Sequence, residues 1–266
     1  KKLLRLSKKY DFLLLAHIEN DQLIDLNQTY TYKDLSKSRP VQAEIEEALK
    51  IASFVKKTKG FLYMVHVSSG QTIKALNEQY KDIINKNFFI ESCPQYFTFT
   101  EKKLQSNRGY LYTCAPPLRS QVSQDLLFQY FKDVYTIGTD HCAFLKEDKK
   151  KTYLHQIPLG IGSIEQSFKV MYTYFDQDVI PKMTERISTL FKLKNKGFLK
   201  EGYDADLMIF EKKDHQIESH HGTCDYNLYS QHKVSVDIIA TMCKGRFVMM
   251  NQVQYDSQGT FVLKEV

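Results

Sequence analysis

The sequence predicts an α/β protein with parallel strands, on three observations. Unbroken apolar runs recur at 12–17 (FLLLAH), 61–67 (FLYMVHV), 88–93 (FFIESC) and 134–140 (VYTIGTD). Helical spacing lies between the runs, and strands that alternate with helices pair in parallel through right-handed crossovers. Each run is continuous rather than alternating, the signature of a strand covered on both faces. A barrel and an open doubly wound sheet both satisfy this pattern. Nothing like GxGxxG or a Walker loop comes after any strand, which weighs against a nucleotide-binding sheet.

LLRLSKKY (3–10) has helical spacing and leads into the first strand. PVQAEIEEALKIASFVKKTKG (40–60) is amphipathic, with Pro40 at its start, Ala43, Ile45, Ala48, Ile51, Ala52 and Val55 on one face, and Gly60 as its stop. The second strand is succeeded by the helix SSGQTIKALNEQYKD (68–82), and YLYTCAPPLRS (110–120) is a loop stiffened by Pro116 and Pro117. After about residue 195 the texture turns β-rich: GFLKEGYDADLMIFEKK reads as two short strands around Gly202, and VDIIATMCKGRFVMMNQVQY as a hairpin turning at Lys244-Gly245. The expected division is therefore 1–195 and 196–266, the second a small sheet domain.

The 266 residues carry 37 Lys+Arg against 31 Asp+Glu, a net +6, with 42% hydrophobic residues. That composition belongs to a globular chain and excludes disorder as the general state. The densest basic run, KEDKKK (146–151), reads as a solvated loop, and no nucleic-acid partner is expected. Cys93, Cys114, Cys142, Cys224 and Cys243 lack CxxC spacing and read as reduced thiols of a cytoplasmic protein. No apolar run nears the roughly 20 residues that span a bilayer, so no membrane association is expected. The chain opens within a helical pattern, with neither a starting Met nor a signal-peptide pattern, and is read as the carboxyl-terminal part of a longer protein.

Three apolar runs deliver a polar group at or near their ends: His17, His66 and Asp140. Where parallel strands share one carboxyl edge, that edge carries the chemistry. Two imidazoles and a carboxylate suit zinc or a similar divalent ion, with an open position for water. Glu91 and Cys93, before Pro94, also sit at a strand end, where a simple turn explains them equally well. No GxSxG elbow is present, and no Cys has a His partner nearby in sequence, so nucleophilic catalysis has little support.

HIEN (17–20), SRP (38–40), YMVHVSS (63–69), ESCPQY (91–96), APPLR (115–119), GTDHCAF (138–144), GYDADLMIF (202–210) and CDYNLYSQ (224–231) occur in this order. Together they resemble the carboxyl-terminal portion of the hydantoinase/dihydropyrimidinase branch of the cyclic amidohydrolases, from residue 1 to about 253. The resemblance implies the second half of a TIM-type (β/α)8 barrel followed by a segment of a small β-sandwich. It implies a binuclear metal centre, usually zinc, with His17 and His66 on one metal and Asp140 on the other. The HxH pair and the bridging carboxylated lysine of that centre are expected upstream of this chain. Backbone groups at Ala115 and Leu159, where relatives more often carry Ser and Asn, are expected to bind the substrate's ring amide.

The activity so implied is hydrolysis of dihydropyrimidines, hydantoins or both by a metal-bound hydroxide, as in pyrimidine catabolism, in a cytoplasmic homotetramer. Asp140 would carry the proton from the attacking water to the departing nitrogen. His141 is expected to support its loop and Cys142 to pack. Two alternatives stand beside this reading. One is a non-catalytic scaffold that kept the fold, and the other is a sibling enzyme, an allantoinase or dihydroorotase.

Overall fold

The computed structural model describes residues 1–162, 164–218, 220–251, 253–256, 259 and 261–262. Packing divides the chain into two compact units, Lys1–Ile164 with His221–Leu228, and Glu165–His220 with Tyr229–Val266. The change of texture near residue 195 falls inside the second unit, between its helices and its sheet.

The first unit is built on four parallel strands in the order β1 (Leu14–Ala16), β2 (Leu62–Met64), β3 (Phe88–Ser92) and β4 (Thr136–Ile137). Their register runs Leu14↔Leu62↔Phe88 at one end and Ser92↔Ile137 at the other. The helices α1 (Lys2–Tyr10), α2 (Val41–Thr58), α3 (Gly70–Tyr80) and α4 (Gln121–Gln129) are interleaved with the strands, and α3 packs against both α2 and α4. Leu62, Met64, Phe88, Ile90 and Ile137 are buried, as expected of strands covered on two faces. β1 departs from that expectation: Leu15 is 49% exposed. Among the described residues β1 has a strand on one side only.

The buried stripe of α2 is Ala43, Glu44, Ala48, Ala52 and Val55, whereas Ile45 and Ile51 are only half-buried. A carboxylate thus takes a place that the apolar pattern gave to isoleucine. α2 ends at Lys59 in the left-handed conformation, and Gly60 has a different task. A Cβ there would overlap the Leu4 carbonyl, so glycine lets this turn meet α1 closely.

The second unit pairs α5 (Ser167–Phe175) with an antiparallel sheet of β5 (Leu207–Gln216), β6 (Lys233–Cys243), β7 (Arg246–Met250) and β8 (Val253–Gln254). Phe168 and Tyr172 of α5 each lie 5.1 Å from the Phe210 ring, centre to centre. β6 turns into β7 through Lys244 and Gly245, both with positive φ, as a two-residue turn that matches strand twist requires. The strand expected before Gly202 is absent. Residues 197–203 form turns and bends, and Lys196 pairs with Asp204 (2.9 Å) and Asp206. Among the described residues no helix is long and apolar enough to cross a membrane.

Candidate active site

Because the four strands run in parallel, the residues just past each strand's carboxyl end emerge on one edge of the sheet. His17 comes directly after β1, His66 lies two residues beyond β2, and Asp140 three beyond β4. His66 (φ 42°) and Asp140 (φ 45°) both occupy the left-handed region, which non-glycine residues avoid unless their surroundings hold them there. The restraints are visible. The His66 N–H donates to Glu91 Oε1 at 3.0 Å, Val67 N–H to the Glu91 carbonyl at 2.8 Å, and Gly138 N–H to the Ser92 carbonyl at 3.0 Å.

His17 Nδ1 and His66 Nε2 face each other at 3.1 Å. Two nitrogens on one tetrahedral zinc, each about 2.0–2.1 Å from it, stand roughly 3.3 Å apart. On the far side of the first ring, His17 Nε2 lies 2.7 Å from Glu19 Oε2. An ionised carboxylate only accepts, so this bond assigns the His17 proton to Nε2 and leaves the Nδ1 lone pair facing His66. A carboxylate behind a ligating histidine is the usual way such a ring is oriented. Burial, then the neighbouring His17, pushes His66 down to about 4, so its ring is neutral at pH 7. His66 Nδ1 is buried without a hydrogen-bond partner. The two facing nitrogens have the spacing to hold a divalent ion. Among the described residues, however, no three His, Cys, Asp or Glu side chains form a metal-holding group by themselves.

Behind the pair lies a buried set of charges. Glu19 Oε2 also accepts from Arg39, and Arg119 stands 4.0 Å from Glu19 Oε1 and 3.8 Å from Glu44 Oε2. Arg119 donates to Ser68 Oγ at 2.9 Å and to the Arg39 carbonyl at 2.6 Å. Burial works to raise the Glu19 carboxyl, but the His17 hydrogen bond and the charges of Arg39, His17 and Arg119 outweigh it and hold it below the usual range. Glu44 caps the start of α3, accepting from Ser68 N (3.1 Å), Ser69 N (3.2 Å) and Thr72 Oγ1 (2.6 Å). Glu19, Arg39 and Arg119 stood within HIEN, SRP and APPLR, yet nothing in those strings says that they meet.

Glu91 supports the opposite side. Its carboxylate accepts from Tyr63, whose hydroxyl also bonds Thr136 Oγ1 at 2.8 Å. A Cβ on Gly138 would overlap that carboxylate, so glycine lets the Asp140 turn lie directly on Glu91. Burial raises the Glu91 carboxyl against the Tyr63 and His66 hydrogen bonds. Burial likewise raises Asp140, opposed by the nearby His17. A carboxyl so raised is better suited to taking and giving a proton near neutrality.

Ala115 and Leu159 are half-exposed, and their segments are joined by a hydrogen bond from Gly160 N–H to the Thr113 carbonyl at 2.9 Å. His141 bridges to Ile161 and accepts from Ile164 N–H at 3.2 Å, which is loop support. Cys142 is exposed rather than packed, and a Cβ on Gly160 would overlap its backbone carbonyl, so only glycine lets the two segments lie this close. KEDKKK is not wholly solvated either, since Lys149 is fully buried. Cys93 is buried, and burial pushes its thiol well up, so it is no nucleophile at neutral pH.

No family model matches the chain. It is similar to the D-hydantoinase of Geobacillus stearothermophilus, 27% identical over 271 residues, covering 92% of this chain and 57% of that protein. It is 26% identical to the allantoinase of Bacillus velezensis, over 94% of this chain and 59% of that enzyme. The crystal structure of dihydropyrimidinase from Brevibacillus agri NCHU1002 superposes with a TM-score of 0.87 at 25% identity, covering 95% of this chain and 60% of that one. The chain thus spans less than two thirds of the length of these relatives. Ordered motifs, one fold and near-complete coverage of this sequence agree in likening the chain to the hydantoinases, dihydropyrimidinases and allantoinases.

Proposed function

We propose that the whole protein is a metal-dependent hydrolase that opens cyclic amide rings, hydantoins or dihydropyrimidines, and that this chain supplies the second half of its barrel, β1–β4, and part of a β-sandwich, β5–β8. The observation that carries the proposal is the pair of inner nitrogens, His17 Nδ1 and His66 Nε2, 3.1 Å apart on the same strand edge as Asp140. A scaffold without metals has no need of that pair, or of the carboxylate behind it. The relatives named dihydroorotase and allantoinase keep those ring chemistries as a second reading.

In this reading His17 and His66 hold one divalent ion, zinc by resemblance, and Asp140 serves a second. The HxH pair and carboxylated lysine come from upstream. When bound, the metal supplies a water of lowered pKa and polarises the ring carbonyl. The chain's own residues do the rest. Glu19 fixes the tautomer and plane of His17, while Glu91 fixes the backbone of His66 and the turn before Asp140. Asp140 accepts the proton of the attacking water and returns it to the departing amide nitrogen. Backbone groups at Ala115 and Leu159 orient the ring amide. The proposed setting is a cytoplasmic homotetramer.

The test is turnover by the whole protein of hydantoin, dihydrouracil, allantoin and dihydroorotate, before and after metal removal. Hydantoin or dihydrouracil should be opened, the activity should vanish on chelation, and zinc should restore it. Activity that survives complete removal of metal would sink the proposal. A second expected outcome concerns the carboxylate behind His17. Glu19→Gln should weaken metal affinity about 10–100-fold, the usual effect of losing such a partner. Competition with a metallochromic chelator measures it, and unchanged affinity would show that Glu19 does not orient the ligand.

A further inference from the structure

We propose that Lys149 is a positioning residue for substrate: its ammonium fastens the 111–115 segment to the 159–161 segment, so that the stretches carrying Ala115 and Leu159 face the site as one wall. This rests on the cyclic-amide reading above. Lys149 has no exposed surface. Its Nζ donates to the carbonyls of Leu111 (3.3 Å), Thr113 (2.9 Å) and Gly160 (2.5 Å). An ammonium has three N–H donors, and here all three end on the backbone of these two segments.

A buried cation is costly, and a residue that merely filled space would be apolar. The side chains of Cys114, Cys142 and Cys224 lie near Lys149. Burial pushes the amine down to about 8. The three carbonyl dipoles are what holds the charge in place. They also connect further. Thr113 O accepts from Gly160 N–H as well, and Ile161, next in the chain, accepts from Cys142 N–H at 3.0 Å. The clamp therefore closes one residue from Leu159 and two from Ala115, and only indirectly reaches the turn that holds Asp140.

The experiment uses the metal-loaded whole protein with two variants. Lys149→Met keeps the unbranched apolar stem, one atom shorter, and removes every donor, and Lys149→Gln keeps two donors. Steady-state kinetics on hydantoin and dihydrouracil should show KM raised about tenfold or more for Lys149→Met, with kcat within about threefold, the pattern of lost ground-state binding. Lys149→Gln should fall between that variant and the wild type. Amide hydrogen exchange at Gly160 should quicken in the same order. An unchanged KM, or a fall in kcat at constant KM, would overturn the proposal. If Lys149→Met does not fold, Lys149→Gln decides by the same criteria. A wild-type protein that opens no cyclic amide overturns the reading beneath; the clamp is then judged on Gly160 exchange, and unchanged protection in Lys149→Gln overturns it.

Discussion

Asp140→Asn, in the whole protein with metal bound, is expected to lower kcat by about 10²–10⁴, the range that general acid–base assistance supplies. Any loss of metal would deepen the fall. The amide has the carboxylate's size and shape, so the left-handed turn that presents it should persist, since that turn rests on Glu91, Gly138 and Ser92. What the amide lacks is a site that takes up a proton and gives it back. It is also a poorer ligand for a hard divalent ion. His141→Asn and Cys142→Ser should leave substantial activity. The first side chain supports the loop through Ile164, and the second is exposed and assigned no chemistry. Turnover, metal per chain and thermal midpoint for the three variants form the measurement. Near-normal turnover for Asp140→Asn would show that its carboxylate does not handle the proton, and a larger loss at Cys142 with metal intact would move the chemistry to the thiol.

The strands were legible because burial on both faces writes itself as continuous apolar runs, and FLYMVHV and FFIESC contain β2 and β3. The short strand β1 was legible too, but its exposed face was not, because an apolar run does not say whether it lies at an edge. His17, His66 and Asp140 could be picked out as polar groups ending apolar runs. The left-handed backbone of His66 and Asp140 could not, because the bonds to β3 that restrain it come from residues distant in sequence. The strand expected before Gly202 failed for a related reason. Local apolar content was sufficient, but Lys196 and the two aspartates close a turn there instead.

Buried charges were the least visible. Lys149 sits in a lysine run that by composition alone belongs in water, and only its three carbonyl partners, up to 38 residues away in sequence, take it inside. Glu44 lies one turn before Ala48 on the face that helical periodicity buries, where a carboxylate gives no sign of the partners that keep it there. Its hydroxyl and amide donors come from residues 24–28 positions further along. A pattern of period 3.6 reports which face is apolar. It carries no information on which polar group on that face finds partners.

Glu44 is therefore where the largest loss of stability is expected. Its side chain is fully buried and accepts from Ser68 N, Ser68 Oγ, Ser69 N and Thr72 Oγ1, with Arg119 Nη2 3.8 Å away. Removing it in Glu44→Ala orphans two backbone donors at the start of α3 and leaves Arg119 short of a counter-charge. Breaking a buried ion pair from one side costs about 3–5 kcal/mol. For a chain of this size that corresponds to a drop of roughly 10 °C in thermal midpoint. Glu44→Gln keeps the shape but turns two acceptors into one acceptor and one donor group, against neighbours that donate. It should cost about 1–3 kcal/mol, the penalty of an unsatisfied buried group. Pairing Glu44→Ala with Arg119→Met should recover part of the loss, because the two charges leave together while Glu19 and Arg39 remain opposed. A double-mutant cycle reads that recovery as coupling of about 0.5–3 kcal/mol. Strictly additive losses, or a cost below about 1 kcal/mol for Glu44→Ala, would show that the carboxylate is a bystander and that α3 starts without it.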